Sequence, residues 1–362
     1  MINSADKALL YTTLILLFGG LLILASASVV ISQTNFNSLT HYTLRQLTYG
    51  GIFGFLGFIA GFMVPYRLWR RLALPLIIIS FVLLTLLFIP SLGYSSGGAR
   101  RWLHLGFISF QPAEILKFAF IVYLASWLDA RRRLVGSLSY GLIPFALMLS
   151  LVGIFLIMQP DIGTLGVIVL TSLILYFLGG GRVSQMVTLS FFGAMLLYFL
   201  VQLAPYRLSR ILVFLNPGTD PQGLGYQISQ AFIAIGSGGF FGAGFGKGLQ
   251  KYNYLPEPMG DSVFAIASEE LGFVGAVLII LVFAFFFWRG IVIARNAPDM
   301  FGKLLAAGIS ISIMTQAFVN MAAISGLLPL TGIPLPFVSY GGTSLAMTLM
   351  GVGVLLNISK KA

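Results

Sequence analysis

Residues 255–272 read LPEPMGDSVFAIASEELG and pass from a polar, proline-bracketed segment into an apolar helical pattern. The stretch holds four of the ten acidic residues of the chain, namely Glu257, Asp261, Glu269 and Glu270. Because a carboxylate is costly inside a membrane, acidic residues at such a position indicate a functional site. We therefore take this stretch as the leading candidate for a site, located where a membrane-spanning helix begins.

The composition predicts an integral membrane protein. Of the 362 residues, 58% are hydrophobic and 9% are charged, whereas about a quarter of the residues of a soluble protein are charged. Apolar runs of roughly 20 residues, long enough to cross a bilayer, recur along the whole chain. Unbroken runs of Leu, Ile and Phe exclude the alternating strands of a membrane barrel. We predict an all-α polytopic protein that forms one membrane domain over residues 1–362.

Hydrophobic patterning predicts about ten membrane-spanning helices. They are placed at residues 9–30, 44–64, 72–90, 111–128, 140–158, 163–180, 186–203, 262–287, 302–324 and 336–357. A large extracytoplasmic loop, residues 204–261, is predicted between helices 7 and 8. Ala25-Ser26-Ala27 resembles a signal-peptidase site, but Lys7 is offset by Asp6, so we expect the first helix to be retained.

The basic residues predict the orientation of these helices. Ten spans place both termini on one side, and 13 of the 21 Lys and Arg residues fall in the short loops and tails of that side. The positive-inside rule makes this side cytoplasmic. Short clusters of this kind encode orientation, so no nucleic-acid partner is expected. The 13 residues are Lys7, Arg67, Arg70, Arg71, Arg131, Arg132, Arg133, Arg182, Arg289, Arg295, Lys303, Lys360 and Lys361.

Basic residues between and within spans 3 and 4 depart from this rule. Arg100 and Arg101 lie on the predicted outer side, which invites a functional interpretation. Lys117 lies about 9 Å inside span 4 by the helical rise, so we expect it to have an acidic partner or a water-filled cavity. Snorkelling of Lys117 to the interface is the alternative. Glu114 suits a hydrogen bond back to the start of its helix.

The segment between spans 7 and 8 contains two local patterns. Apolar residues at helical spacing over residues 228–235 predict a short amphipathic helix that lies along the interface. Seven glycines then fall between Gly236 and Gly248, beside Lys247 and Lys251. Their spacing fails the nucleotide P-loop pattern at both ends. Re-entrant backbone and direct diphosphate contact are equally compatible with these glycines.

Each acidic residue has a structural interpretation beside the functional one. Asp261 suits an N-cap, but it also suits a general base whose pKa is raised by burial into the useful range. Glu269 and Glu270 point to different helix faces, and we expect at least one to be buried and paired with a basic residue such as Lys117. Asp161, in the turn between spans 5 and 6, is equally compatible with a turn cap and with a functional role.

Several other chemistries are excluded by residue type and spacing. The chain has no cysteine, so disulfides and thiolate sites are absent. His41 and His104 lack the HExxH spacing of a helical zinc site. An intramembrane aspartyl protease would require Gly-x-Gly-Asp, whereas Pro258 occupies the first of these glycine positions.

Six motifs, in order along nearly the whole chain, resemble the SEDS family of shape, elongation, division and sporulation proteins. They are GARRWLHLG at 98–106, QPAEILK at 111–117, QPDIGT at 159–164, NPGTDPQGLGYQISQAFIAIGSGGFFGAGFGKG at 216–248, LPEPMGDSVFAIASEELG at 255–272 and GLLPLTGIPLPFVSYGGTS at 326–344. Within the family the sequence is more similar to the division branch, FtsW, than to the elongation branch, RodA.

The resemblance implies a peptidoglycan glycosyltransferase of the cytoplasmic (inner) membrane that polymerises lipid II into glycan strands on the outer face during cell division. The essential acidic residue of the family falls on Asp261, which would act as general base while undecaprenyl diphosphate leaves. Basic positions of the family cavity fall on Arg100, Arg101 and Lys117, which would hold the diphosphate. Further substrate-binding candidates are Glu114, Asp161, Lys247, Lys251 and Glu257.

The resemblance also implies partners and a metal. A divalent cation, Mg or Mn, is expected at the diphosphate, and no organic cofactor is expected. The expected partner is a class B penicillin-binding protein, a transpeptidase, together with other division proteins. One departure is local: Met259-Gly260 stands where family members often have His-Thr, which affects the details of acceptor binding.

Three alternatives remain open at this point. The first is a transporter that flips lipid II across the membrane, the second is a RodA-type elongation polymerase, and the third is a non-catalytic scaffold of the division machinery. A flippase requires a polar path that opens to both faces, whereas a polymerase requires charged groups on the outer side. The predicted outer position of Arg100, Lys117, Asp161, Glu257 and Asp261 favours the polymerase.

Overall fold

The structure is a computed structural model that describes residues 5–96, 99–106, 108–202 and 205–361. The α-helices in these residues are α1 Lys7–Phe36, α2 His41–Arg45, α3 Gly51–Met63, α4 Tyr66–Leu86, α5 Pro112–Ala130, α6 Ile143–Met158, α7 Ile162–Leu178, α8 Val183–Gln202, α9 Pro205–Leu215, α10 Leu224–Ser237, α11 Val263–Asn296, α12 Met300–Ile324 and α13 Gly342–Ser359. Two π-helical turns, Gln46–Gly50 and Leu138–Leu142, lead into α3 and α6. Leu203 and Ala204, where predicted span 7 ends and the predicted loop begins, lie outside the described residues.

These helices confirm the predicted polytopic membrane fold. Each of the ten predicted spans falls on helix, and seven helices among the described residues are long and apolar enough to cross a membrane. The predicted start of the last span is wrong, because residues 336–341 form an irregular segment before α13. The helices α12 and α13 are largely buried, whereas α3 and α4 present most of their surface outward. A buried pair of helices therefore forms the centre of the bundle.

The contact between α3 and α13 shows how helices pack without bulky side chains. A Cβ atom placed on Gly57 would lie 2.8 Å from the carbonyl oxygen of Ala346. One placed on Gly61 would lie 2.3 Å from the carbonyl oxygen of Met350. Small residues of this kind allow two helix backbones to approach closely in a membrane. The glycines of α3 therefore fix its position on the central helix α13.

A small antiparallel sheet precedes α5 and departs from the predicted all-helical fold. Its strands, in spatial order, are β1 Gly93–Ser96, β2 Ala99–Leu105 and β3 Ile108–Phe110. Tyr94 pairs with Trp102 across β1 and β2, and the Tyr94 ring stacks on His104. Strands this short carry too few alternating residues to be distinguished from loop in the sequence. The sheet places Arg100 and Arg101 on one strand close to the start of α5.

The predicted cytoplasmic clusters gather at one end of the bundle. Ion pairs at this end join Arg289 to Asp6, Arg67 to Asp299 and Arg70 to Asp129. The Asp6 amide also donates to Ser359 Oγ at 3.0 Å, which brings the two ends of the chain together. Asp161 and Asp261 lie at the opposite helix ends, and we call this opposite end the site end. The separation of the two ends agrees with the predicted span count.

The segment between α8 and α11 is more ordered than the large loop that was predicted. The predicted amphipathic helix at 228–235 is confirmed within α10. A second amphipathic helix, α9, was not predicted. It carries Arg207 and Arg210, whose side chains donate to the carbonyl oxygens of Ile157 and Leu330. The segment therefore lies against the end of α6 and the connection between α12 and α13.

The helix α11 is broken at Gly272, where φ is 69° and ψ is −169°. The amides of Ala243 and Gly244 donate to the carbonyls of Glu269 and Glu270 at 2.9 and 3.1 Å. Beyond the break, the amides of residues 273 and 274 donate to the carbonyls of residues 239 and 240. The glycine-rich loop thus replaces the hydrogen bonds that the helix loses. This arrangement matches the interpretation as re-entrant backbone, about 14 Å along the helix from Val263.

Candidate functional site

Asp261 occupies the last turn before α11, and its side chain does not cap that helix. Ser262 is the N-cap residue, and its side chain makes no capping hydrogen bond. The carboxylate Oδ1 of Asp261 instead accepts a hydrogen bond from Gln227 Nε2 of α10 at 3.3 Å. Asp261 is half-buried. Since the N-cap interpretation fails here, the position of the carboxylate calls for another explanation.

The backbone around Asp261 is held by side chains from α12 and from the connection to α13. Asn320 Nδ2 donates to the carbonyls of Asp261 and Ile333, both at 2.8 Å. Ser339 Oγ donates to the Gly260 carbonyl at 2.7 Å, and the Tyr340 amide donates to the Met259 carbonyl at 2.8 Å. Four main-chain carbonyls are thereby satisfied without a helix or strand. The turn that carries the carboxylate is rigidly placed as a result.

Burial raises the pKa of the Asp261 carboxyl from 3.8 to about 6. The negative charge of Glu257 contributes to this rise in the pKa, while the hydrogen bond from Gln227 and the positive charge of Arg210 oppose it. A carboxylate with a pKa near the working pH is suited to accept a proton and to exist largely unprotonated at pH 7. The site therefore contains a group with the properties of a general base.

A narrow cavity lies beside this carboxylate. Asn320, Leu330 and Thr331 line it together with Asp261. The Asn320 Oδ1 atom is buried and has no hydrogen-bond partner among the described residues. An unpartnered buried polar atom is costly and indicates a place where a ligand or water binds. The cavity thus presents a base and an acceptor oxygen close together.

The turn between α6 and α7 brings Asp161 to the same end of the bundle. Asp161 Oδ1 accepts from the Thr164 amide at 3.3 Å, and its other oxygen accepts from Gln111 Nε2 at 3.4 Å. Arg101 donates to the carbonyls of Gln159 and Pro160 in this turn. The capping interpretation of Asp161 is thus present in the structure, and the functional one stays a prediction.

Lys117 is buried in the bundle and has the acidic partner that was expected. Its Nζ atom lies 2.7 Å from Glu114 Oε2, one turn away on α5, and it also donates to Gln316 of α12. The amine therefore does not snorkel, and Glu114 pairs with it instead of capping the helix. A small cavity, lined by Lys117, Gln316, Ser312 and Thr348 among others, adjoins the pair.

The expectation that at least one of Glu269 and Glu270 is buried and paired with a basic residue is confirmed, but the partner is Lys251 and not Lys117. Lys251 Nζ lies 2.6 Å from Glu270 Oε1, and both side chains are 3% exposed. Ser26 Oγ of α1 donates to the same carboxylate at 2.6 Å. Glu269 accepts from the Leu249 amide at 2.7 Å. Sequence spacing could not reveal this pair, because the loop folds back on the helix that follows it.

The remaining predicted residues differ in exposure. Arg100, Lys247 and Glu257 are exposed, whereas Lys251 is buried in its ion pair. The structure brings Glu257 and Asp261 together and keeps Lys251 away from solvent. Lys251 therefore suits a structural role better than the predicted contact with a diphosphate.

Three residues near Asp261 were not identified from the sequence, namely Arg210, Gln227 and Asn320. Asn320 gave a usable signal, because an amide inside an otherwise apolar helix is expected to be functional. Arg210 gave one as well, because it lies outside the clusters that set the orientation. Gln227 lies on the polar face of the predicted amphipathic helix, where a polar residue needs no special explanation.

Comparison with known proteins places the whole chain in one group. The family model for the FtsW, RodA and SpoVE cell cycle proteins matches residues 7–362. Stage V sporulation protein E of Bacillus subtilis is 43% identical, over 99% of this chain and 98% of that protein. The probable peptidoglycan glycosyltransferase FtsW of Geobacter sulfurreducens is 39% identical, over 99% and 96%.

Among solved structures, the fold is similar to a chain of a peptidoglycan synthase complex that was described for the coordination of polymerization and crosslinking. The TM-score is 0.82 at 28% identity, and the alignment covers 98% of this chain and 97% of the other. Sequence and structure comparisons therefore agree over almost the full length.

Proposed function

Because the chain belongs to the family of FtsW, RodA and SpoVE cell cycle proteins, we propose that it is a peptidoglycan glycosyltransferase that polymerises lipid II. A relative whose name carries this activity, the probable peptidoglycan glycosyltransferase FtsW of Geobacter sulfurreducens, is 39% identical to this chain over nearly its full length. The observation that carries the proposal is a half-buried Asp261 with a pKa of about 6 beside a cavity. Such a group suits removal of a proton from a sugar hydroxyl.

In the proposed reaction Asp261 takes the proton of the 4-hydroxyl of the acceptor sugar. The oxygen then attacks the anomeric carbon of the donor, and undecaprenyl diphosphate leaves. Gln227 orients the carboxylate, and Asn320 fixes the backbone of its turn. A base that is held in place in this way loses little entropy when the reacting groups meet.

Cationic groups at the site end are proposed to bind the diphosphates. Arg100 is exposed, and Arg101 lies over the α6–α7 turn. Lys117 adjoins the deeper cavity. A lipid diphosphate carries negative charge at the membrane interface, where Arg and Lys form strong charge-assisted hydrogen bonds. Lys247, which is exposed, remains a candidate for the same role, whereas the paired Lys251 does not.

A divalent cation is proposed to accompany the diphosphate. No group of three or more His, Asp or Glu side chains that could hold a metal occurs among the described residues. Mg²⁺ often takes only one or two carboxylates and completes its coordination with substrate phosphates and water. A metal bound in this way would neutralise charge on the diphosphate.

The proposed orientation places the site end outside the cytoplasmic membrane and both termini in the cytoplasm. The basic clusters at the opposite end support it through the positive-inside rule. The proposed partner is a class B penicillin-binding protein, and the structural similarity to a chain of a peptidoglycan synthase complex supports this. A role beside other division proteins follows from the FtsW relatives.

Polymerisation of labelled lipid II by the purified protein with its transpeptidase partner tests the proposal. We expect glycan strands from the wild-type protein and none from Asp261→Asn, because the amide cannot accept the proton. The variant must retain the thermal unfolding transition of a folded protein. An unchanged yield from Asp261→Asn would remove Asp261 from its role as base. Translocation of lipid II in liposomes without any polymer would favour a flippase.

A second candidate is a polymerase that serves spore formation rather than division. It is favoured by the 43% identity to the stage V sporulation protein E of Bacillus subtilis. Both candidates use the same chemistry. Localisation of a fluorescent fusion distinguishes them, since a division protein gathers at the septum of growing cells and a sporulation protein is made only during spore formation.

A further inference from the structure

We propose that Arg210 of α9 stabilises the diphosphate of the donor lipid as it leaves. This inference rests on the proposed polymerase function and identifies a residue that neither the sequence motifs nor the family resemblance singled out. It assigns one cation to one of the two lipid diphosphates that a polymerase must hold at the same time.

The chemistry requires that the leaving diphosphate lie close to the base. The base must be within about 3 Å of the acceptor hydroxyl, and that oxygen must be about 3–3.5 Å from the carbon that it attacks. The donor diphosphate is bonded to this same carbon. The diphosphate of the acceptor lipid, by contrast, is separated from its reacting hydroxyl by a disaccharide. A cation that acts on the leaving group must therefore lie near Asp261.

Arg210 meets this requirement by its position. It donates from a guanidinium nitrogen to the Leu330 carbonyl at 2.7 Å. Leu330 and Asp261 line the same cavity. The positive charge of Arg210 is also strong enough at Asp261 to lower the pKa of that carboxyl. A guanidinium offers five N–H donors in a planar fork that matches phosphate oxygens.

Several other cations of the site end have partners away from the cavity of Asp261. Lys251 is buried with Glu270, and Lys117 is buried with Glu114. Arg101 donates to the carbonyls of the α6–α7 turn. Arg207 lies one helical turn before Arg210 on α9 and donates to the Ile157 carbonyl at 3.4 Å, away from the cavity of Asp261. Arg207 is therefore a matched control for the charge and the helix.

The proposed step transfers the donor sugar from its diphosphate to the acceptor. A bond forms between the 4-oxygen of the acceptor and the anomeric carbon of the donor, while the bond from that carbon to the diphosphate oxygen breaks. The hydroxyl proton passes to Asp261. The electron pair of the broken bond stays on the diphosphate oxygen, which gains negative charge in the transition state. A donor fork aimed at that oxygen accelerates the step without tighter binding of the ground state.

Steady-state polymerisation by the purified complex provides the first test. We expect Arg210→Gln to lower kcat by about 100-fold with little change in KM, as loss of one transition-state donor does elsewhere. Arg210→Lys should recover part of this loss, because it keeps the charge and loses the fork. Arg207→Gln should stay within about threefold of wild type, since it lies outside the cavity.

The pH profile separates this role from a merely structural one. Glu257 and Arg210 are the charged groups that act on Asp261, and Gln227 is its hydrogen-bond donor. Removal of the positive charge of Arg210 raises the pKa of Asp261, so the acid limb of the profile moves to higher pH in Arg210→Gln. A variant that only loosened the Leu330 connection would lose activity without this shift.

Two outcomes overturn the inference without touching the proposed function. The first is an activity of Arg210→Gln that equals that of wild type and of Arg207→Gln. The second is an equal loss of activity in both variants together with an unshifted pH profile. If the wild-type protein makes no polymer at all, the proposed function fails, and binding of farnesyl diphosphate then tests the site directly. At least tenfold weaker binding by Arg210→Gln than by Arg207→Gln would support the inference, and equal binding, or none by wild type, would overturn it.

Discussion

Asp261 combines two properties that act against each other. Its burial raises the pKa of the carboxyl to about 6, which makes a better proton acceptor than an exposed carboxylate. The same burial disfavours the charged form in the folded protein, so the site costs stability at neutral pH. A structural carboxylate would be expected to have stronger hydrogen bonds than those from Gln227 Nε2 at 3.3 Å and Ser262 Oγ at 3.5 Å. A buried carboxylate that costs stability and has only weak hydrogen bonds indicates a functional residue.

The first prediction concerns the pH dependence of polymerisation. The rate should rise as pH increases through about 6, because the base must be unprotonated and its pKa is raised to that value. Initial rates at saturating lipid II and divalent cation between pH 5 and 8 measure it. In Glu257→Gln the like charge is removed, so the pKa of Asp261 falls and the acid limb should move to lower pH. If the acid limb of the pH profile of Glu257→Gln lies at the same pH as that of wild type, the assignment of Asp261 as the base is contradicted.

The second prediction concerns stability. The pKa of Asp261 is higher in the folded protein, about 6, than its ordinary value of 3.8. The folded state therefore binds the proton more tightly, and stability falls as pH rises between these values. Asp261→Asn should be more stable than wild type above pH 6, by on the order of 2 kcal/mol.

Thermal unfolding in detergent measures this difference. The advantage of Asp261→Asn should vanish below pH 4, where the wild-type carboxyl is protonated in both states. Because only the difference between the two proteins is used, titration of other groups cancels. Equal melting temperatures of wild type and Asp261→Asn across this pH range would show that burial does not disfavour the charged form of Asp261.

The third prediction concerns the buried pair of Glu114 and Lys117. Its two atoms lie 2.7 Å apart, and both side chains are at most 11% exposed. Glu114→Gln or Lys117→Met alone leaves one buried charge without its partner, and each should cost roughly 3–5 kcal/mol of stability. The double variant removes both charges and should recover more than half of the loss. Additive losses in unfolding experiments would mean that the two charges are not coupled.

At the level of elements, α11 is the most informative helix. The break at Gly272 divides it into a short buried part that carries Glu269 and Glu270 and a long part that faces outward. The glycine-rich loop fills the break with its backbone and is held by the carboxylates of both glutamates. The ion pair of Lys251 with Glu270 and its hydrogen bond to Ser26 join this unit to α1. The two glutamates thus hold the chain that leads into the turn of Asp261.

The fourth prediction tests this arrangement. An added Cβ on Gly272 would lie 2.3 Å from the Gly242 amide nitrogen, and φ at Gly272 is positive. Gly272→Ala should therefore destabilise the protein by about 2–4 kcal/mol through strain and displacement of the loop. Gly236→Ala is the matched control, because an added Cβ there meets no atom within 4 Å. The control should be neutral or stabilising by up to about 1 kcal/mol.

Thermal unfolding distinguishes the two glycine variants, and polymerisation assays show whether the loop reaches the site. If Gly272→Ala unfolds at the wild-type temperature, the loop does not pack in the break of the helix. If Gly272→Ala folds but loses activity, the break at Gly272 helps to hold Asp261 in position although the two residues are far apart along the helix.

At the scale of the whole molecule, the two ends of the bundle differ in charge and in chemistry. One end holds the basic clusters and their ion pairs with Asp6, Asp129 and Asp299. The other end holds Asp261, Asp161 and the arginines of α9. Surface ion pairs of the first kind contribute little to stability. The basic residues themselves support the proposed orientation through the positive-inside rule.

The fifth prediction tests this orientation by cysteine labelling. The chain contains no cysteine, so single substitutions can be introduced without other changes. Tyr252→Cys lies at the site end, on an exposed residue, and should react with an impermeant maleimide in intact cells. Arg132→Cys should react only after the membrane is permeabilised. Labelling of Arg132→Cys in intact cells would reverse the proposed orientation.

The sequence by itself determined the polytopic helical fold and the gathering of the basic clusters at one end of the bundle, because both depend on patterns that are local in the chain. Apolar runs must be about 20 residues long to cross the bilayer. The positive-inside rule applies to each short loop by its own basic residues. The acid at residue 261 was identified for the same reason, since a carboxylate at the edge of an apolar run is unusual wherever the chain folds. The short sheet and α9 were missed, because their local patterns are weak.

Only the tertiary structure decided which charge meets which. Lys251 rather than Lys117 neutralises Glu270, and Glu114 rather than a distant acid neutralises Lys117. It also decided that Arg210 and Asn320, more than fifty residues before and after Asp261, lie around that carboxylate. Partner choice depends on how helices pack and where a loop re-enters the bundle. Those arrangements result from contacts between distant segments, to which the spacing along the chain gives no guide.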